Sequence, residues 1–462
     1  MKKFLKLLAL IATLIVTLTS LFACNVTNNG GSGSSSSSGG GKVDVPVEEV
    51  DYVSRLTLDM NSETLKQEVT VKIYIDGDTT HFNVPHSVVE GGVLKARYLA
   101  INTPESTGKV EAYGKTASNF TKEKLSSAQS IIIESDDDHW NADSTGSRYL
   151  VWVWYRNSAT EPYRNLNLEI LQNGLAKASS TAGNRYGSIC IDALNQAKAL
   201  KLKMYSGSKD PNFYYGSAVE LTLKELRCNI KDYEGVKVAF EGVVTRFYNN
   251  GSYLESYDEE SEIYYGIYVY CGANADSKVL EFMNAGNKLR VVGTVSEFQG
   301  SYQVSGISYS AFRPDSPDNI QLISEGNEVP YTETTAETFL GKKVISLEVE
   351  DEQNPEETVL KSFTYDYAEL ALSTTVSMKG LYVQSVYTTD NDGASDGAMT
   401  LTCTVGGKTI SVRTLVLKDA DGKVITESAY KGKTIDVRGV VDCYNGKYQV
   451  KVLASFDITV RS

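Results

Sequence analysis

Histidine and proline are scarce: three and nine residues respectively in a chain of 462. With only His81, His86 and His139, a His-rich zinc centre is not expected. None of the six cysteines sits in a Cys-x-x-Cys pair, which argues against a zinc ribbon or a thioredoxin-type motif. Basic residues are in deficit, with 45 Lys+Arg against 58 Asp+Glu and a net charge of −13, so the chain is no basic coat for nucleic acid. At 41% apolar and 22% charged, it fits neither wholesale disorder nor a multi-span membrane protein. The 37 glycines and 29 tyrosines favour strands and turns over long helices. The length suits two to four domains of ~100–200 residues each.

Charge is unevenly spread. Residues 65–207 carry 16 Lys+Arg and 15 Asp+Glu, a net of +1, so the remainder is at −14. A site that handles a polyanion belongs in that near-neutral segment.

Lys2, Lys3 and Lys6 precede an apolar run from Leu7 to Leu18, followed by Leu21-Phe22-Ala23-Cys24. This resembles a bacterial lipoprotein signal, which implies cleavage before Cys24 and lipid on its sulfur. An ordinary secretory signal or a single spanning helix are the alternatives, but the run is short for a span of ~20 residues. Asn25–Lys42, rich in Gly and Ser, reads as a flexible tether. The expected location is therefore the outer face of the cell membrane. Of the five later cysteines, Cys403 with Cys443 or Cys228 with Cys271 could bridge, or all could be small buried hydrophobes.

In residues 65–207, Val69, Val71, Ile73 and Ile75 alternate with polar residues as in a half-buried strand. The strand runs into Asp76-Gly77-Asp78-Thr79, a turn presenting two carboxylates. A second strand over Val93–Ile101 contains Arg97 and meets Asn102-Thr103-Pro104-Glu105, where proline stops it. Helical spacing follows over Tyr113–Ala128, a strand over Tyr149–Tyr155 after Arg148, and helices over Asn165–Asn173 and Ser188–Tyr205.

The series DGDT, KARYLAINTPE, YGKTASNFTKEKL, TGSRYLVWVW, LEILQNGLAK and ALNQAKALKLKMYSG resembles the thermonuclease (staphylococcal-nuclease-like) family, in order and spacing. The resemblance implies a five-stranded OB-type barrel packed against three helices, and hydrolysis of phosphodiesters in DNA and possibly RNA, leaving 3′-phosphates. It implies one Ca²⁺, a hard cation with oxygen ligands, held by Asp78, Asn102 and Thr103 with Asp76 behind them. It makes Glu105 the group that orients or deprotonates water, and Arg97 and Arg148 the stabilisers of the phosphoryl transition state. Arg97 also lies within a strand, where an unpaired charge is costly.

Two departures from the family pattern stand out. The second carboxylate ligand is Asn102, which predicts weaker metal affinity. Ala178-Ser179-Ser180 replaces the aromatics that stack on a base, leaving Tyr186 as a substitute. Asp136-Asp137-Asp138 with His139 reads as a solvated loop, and Trp152 and Trp154 as packing.

Beyond a Pro- and Gly-containing linker at Ser208–Gly216, the segment Gly286–Val304 aligns without gaps to Gly432–Val450, with eight identities in nineteen positions. Gly-centred strands precede each copy, and Gln299-Gly300 and Asn445-Gly446 suit hairpin turns. A duplicated OB-like barrel is the expectation. Such barrels often bind single strands through aromatics, here Tyr302, Tyr448, Phe247 and Tyr253, yet residues 208–462 carry a net −13. A protein or glycan ligand at the cell surface, or a purely structural role, stays open.

The expected organisation is a leader at 1–23, an anchored lead-in at 24–64, a thermonuclease-like domain at 65–207, and OB-like domains at 208–325 and 326–462. The fold class is mainly β with some α. The alternative function is a non-catalytic surface lipoprotein that binds nucleic acid or protein through degenerate barrels.

Overall fold

A computed structural model describes residues 48–461 except 107–109, 274, 352–356 and 392. The leader, Cys24 and most of the lead-in lie outside the described residues. Residues 346–363 sort apart from the larger compact unit, Val47–Ile345 with Thr364–Ser462, and form most of a separate two-stranded sheet of Lys342–Glu350 and Thr358–Asp366. All that follows concerns the larger unit.

Its first barrel is built from β1 (Lys66–Tyr74), β2 (Thr79–Asn83), β3 (Val93–Tyr98), β5 (Ser130–Glu134) and β6 (Tyr149–Arg156), with a short β4 at Ile101–Asn102. Strands pair in the closed order β1-β2-β3-β6-β5-β1, and only β3–β6 is parallel. Closure leaves no free edge and buries one face of every strand. Phe82, Leu94, Ile133, Trp152 and Trp154 fill the core with essentially no exposure. Three helices pack on it: α1 (Gly114–Ser126), α2 (Leu166–Gln172) and α3 (Gly187–Ala199). Asn165 caps α2, its side chain accepting the Leu168 N–H at 2.9 Å.

Two elements differ from the expected ranges. The strand expected over Val93–Ile101 breaks at Ala100, whose φ of 68° is in the left-handed region. The last helix ends at Ala199 instead of Tyr205. Leu202 N–H bonds back to the Ala197 carbonyl at 2.9 Å, and Lys201 and Lys203 take positive φ, which no α-helix continues through.

The same strand order recurs twice. Lys237–Tyr248, Gly251–Asp258, Ile263–Tyr270, Lys288–Phe298 and Ser301–Ser305 close a second barrel, with one parallel pair, Ile263–Tyr270 with Ser301–Ser305. Thr375–Thr388, Met399–Val405, Lys408–Thr414, Thr434–Tyr444 and Lys447–Val452 close a third, with its parallel pair at Lys408–Thr414 and Lys447–Val452. Two-residue turns close equivalent hairpins, with φ of 53° and 81° at Gln299-Gly300 and 50° and 74° at Asn445-Gly446. The repeat keeps Gly293 and Gly439 for a steric reason. A Cβ at either would lie 2.6 Å from the carbonyl oxygen of the equivalent neighbour, Ser305 or Lys451.

The linker is not loose. Asp210 is buried and accepts the Tyr113 N–H at 2.5 Å and the Thr116 hydroxyl at 3.1 Å, so it caps α1 from 97 residues away. Neither cysteine pair forms: Cys190, Cys228, Cys271, Cys403 and Cys443 are all free thiols.

Candidate active site at the barrel rim

The turn after β1 sets the site. Ile75 and Asp76 N–H groups both bond the Thr79 carbonyl, and the Asp78 N–H donates to Asp76 Oδ1 at 3.0 Å. Thr121 of α1 donates its hydroxyl to the Gly77 carbonyl at 2.6 Å, pinning the turn to the helix. Both carboxylates are buried as a result, Asp78 to 1% exposure.

Arg97 faces Thr79 across the β2–β3 pair and bridges two oxygens: its guanidinium donates to Asp78 Oδ1 and to Asn102 Oδ1. The other Asp78 oxygen accepts the Thr103 N–H at 2.7 Å, and Thr79 adds its hydroxyl to Oδ1 at 3.1 Å. The left-handed turn at Ala100 makes this possible. It ends β3 and starts β4, where Asn102 pairs with Lys177 on the far side.

Glu105, itself exposed, follows the buried Thr103 and Pro104 and lies against the start of α1. Its carbonyl accepts the Glu111 N–H at 2.9 Å, and its own N–H donates to Glu111 Oε2 at 3.2 Å. Gly114 allows that approach, because a Cβ there would sit 2.1 Å from the Glu105 carbonyl oxygen. Loss of water around its carboxyl and then the Asp78 charge push Glu105 up, while Arg97 and Arg148 pull it down. Arg148 immediately precedes Tyr149, the β6 residue that pairs with Ala96 next to Arg97. Burial, then Asp78, pushes Asp76 up to about 7.

Arg148 is held by a residue that sequence reading missed. Its Nε donates to Asp143 Oδ2 at 2.7 Å. Burial opposes ionisation of Asp143, but the Thr145 hydroxyl and the Arg148 guanidinium outweigh it and hold the carboxyl at about 2. The Asp-Ser-Thr-Gly turn at 143–146 was the available signal.

The donor set suits a hard cation. Only oxygens converge on the Arg97 guanidinium, which stands at Asp78 and Asn102 where positive charge is wanted.

The family model described as staphylococcal nuclease homologue matches residues 95–207. A thermonuclease of Staphylococcus intermedius is 30% identical over 139 residues, 29% of this chain and 74% of its own length. This chain belongs to that family. It carries a nuclease-family domain on its first barrel, extended by two further barrels of the same topology.

Within the thermonuclease-like domain, Tyr186 is not free to replace the missing aromatics. Its ring packs edge-on against Trp152 and Trp154 at 5.0 and 5.6 Å, and its hydroxyl lies 3.1 Å from Glu134 Oε2. The two tryptophans are fully buried and donate their indole N–H groups to Asp136 and Glu134, each at 2.8 Å. Asp137, Asp138 and His139 are exposed.

Proposed function

We propose that this protein is a lipid-anchored extracytoplasmic nuclease that hydrolyses phosphodiesters of DNA, and of RNA where offered, with Ca²⁺. The observation that carries the reading is that Arg97 bridges Asp78 and Asn102 while the other Asp78 oxygen accepts the Thr103 N–H, two residues before Glu105. Asp78 and Asn102 side-chain oxygens, with Thr103, would hold the ion, and Asp76 would support Asp78 from behind. When bound, that ion supplies charge neutralisation at the phosphoryl oxygens. Glu105 orients water and accepts its proton, helped by a carboxyl shifted upward. The forked guanidinium of Arg97 grips the ester, and Arg148 adds a second positive charge to the developing phosphorane. Cleavage on the 5′-oxygen side would leave 3′-phosphates. Asn102 in place of a carboxylate lowers the negative charge available and so weakens metal binding.

The test is degradation of single- and double-stranded DNA by the full chain at millimolar Ca²⁺, with a chelator control and an Arg97→Ala variant. Ca²⁺-dependent cleavage lost in the variant supports the reading, and inert parent protein overturns it. Anchoring is tested separately: Cys24→Ala should release the chain from the membrane fraction.

A further inference from the structure

Two adjoining clefts make a trough between the barrels. One stretch, about 590 Å³, lies between the first and second barrels, and another, about 710 Å³, lies between the second and third. They share Ile75, Phe298, the Gln299-Gly300 turn and the Tyr444-Asn445 pair along their common border. The trough runs beside the candidate active site without including it: Ile75 precedes Asp76 and Ser106 follows Glu105 in the chain, while Asp78, Arg97, Asn102, Glu105 and Arg148 line neither cleft.

Its two stretches differ in chemistry. Lys72, Lys115 and Lys122 line the first stretch. Lys115 pairs with Glu234 at 2.5 Å, whereas Lys72 and Lys122 have no ion-pair partner among the described residues. Tyr248, Tyr270, Tyr302, Tyr444 and Tyr448 line the far part. Tyr302 and Tyr448 are equivalent positions of the repeat, and both repeat hairpins border this one cleft. Duplication has set two copies of the same aromatic-and-turn unit around a single space. No aromatic ring of the described residues stacks on Tyr302, Tyr444 or Tyr448, and Tyr444 is 68% exposed. Tyr248 differs, because the Lys451 ammonium lies 4.7 Å from its ring centroid. Along the two clefts the first barrel contributes three lysines and no lining carboxylate, while residues from 208 onward contribute three Lys/Arg and four Asp/Glu, so the positive charge is concentrated on the first stretch.

We propose that this trough holds a single-stranded polynucleotide beside the nuclease barrel. Its phosphates lie along Lys72, Lys115 and Lys122, and its unpaired bases stack on Tyr302, Tyr444 and Tyr448. The inference rests on the nuclease reading. Stacking requires base faces that a duplex keeps covered, which selects single strands. A neutral glycan would use the tyrosines but leave the lysine row without a function.

The test uses the full chain in a chelator, so that nothing is cut, with a fluorescent oligothymidylate of ~20 nucleotides read by anisotropy. The Tyr302→Ala, Tyr444→Ala, Tyr448→Ala triple variant should bind at least about tenfold more weakly, given what stacked bases contribute. The corresponding triple Phe variant, which keeps the rings, should restore binding and guards against a folding defect. Lys72→Gln with Lys122→Gln should make the log–log salt dependence shallower by about 1.4. Equal binding by the Ala triple, or an equal loss for a duplex of the same length, overturns the proposal. So does a variant that keeps the oligonucleotide and loses a cell-surface glycan instead. A parallel cleavage assay in Ca²⁺ separates the two readings. Parent protein that cuts DNA, beside a triple variant that still holds the strand, sinks the trough alone. Inert parent protein that holds the strand through its tyrosines sinks the nuclease reading and leaves the trough standing.

Discussion

Glu255 of the second barrel accepts two hydrogen bonds from Thr375 of the third, one from the backbone N–H at 2.6 Å and one from the hydroxyl at 2.9 Å. Burial pushes its carboxyl up to about 7, against the pull of those two donors. A folded pKa above the unfolded value favours the folded state at low pH. The benefit is complete below about 4.5 and is lost as pH rises through about 7, a change on the order of 3 kcal/mol. Glu255→Gln does not titrate and keeps both contacts, its amide oxygen accepting the Thr375 N–H and its NH₂ donating to the Thr375 hydroxyl. Its melting temperature should match the parent at pH 4.5 and exceed it at pH 8. Parallel curves across that range would show that Glu255 does not titrate there.

Arg97 is predicted to be irreplaceable by lysine. Its fork reaches Asp78 and Asn102 together, which one ammonium cannot do. Arg97→Lys and Arg97→Ala should both slow cleavage by a factor on the order of 10²–10³. Arg97→Ala should also destabilise the fold, since Asp78 is buried and would lose its cationic partner. Rates at saturating Ca²⁺, with chemical denaturation of each variant, measure both effects.

Asn102→Asp should tighten metal binding. A carboxylate adds negative charge to an all-oxygen donor set, and the Ca²⁺ concentration giving half-maximal cleavage should fall about tenfold. An unchanged or higher requirement would place the ion elsewhere.

Asp210 caps α1 from outside the helix, and α1 in turn holds the Gly77 turn through Thr121. Asp210→Ala should cost about 1–2 kcal/mol, as loss of other N-caps does, in urea denaturation. Asp210→Asn should recover most of it, because an amide oxygen still accepts the Tyr113 N–H.

How far these relationships could be read from the sequence depends on their range. Alternation along β1 and the glycine-centred repeat are local signals, and they lead to three barrels of one strand order. Asp78, Arg97, Asn102 and Glu105 were legible because they fall within motifs bounded by Gly77 and Pro104. Asp210 bonding Tyr113, or Glu255 bonding Thr375, joins residues about a hundred positions apart, and no periodicity announces such a pair. Ala100 was illegible for another reason: nothing in its chemistry favours a left-handed φ, and the surrounding barrel imposes it. Asp143 lay within sight, five residues before Arg148, in a turn that reads as an ordinary solvent loop.

The most direct test of the central claim is single-turnover cleavage of end-labelled DNA in Ca²⁺ by the parent chain and by Glu105→Gln. Positioned acid–base groups typically contribute 10²–10⁴-fold, so the variant should be slower by about that factor, with parent products ending in 3′-phosphate. Equal rates for the two proteins, or cleavage indifferent to Ca²⁺, would contradict a hydrolytic site at this rim.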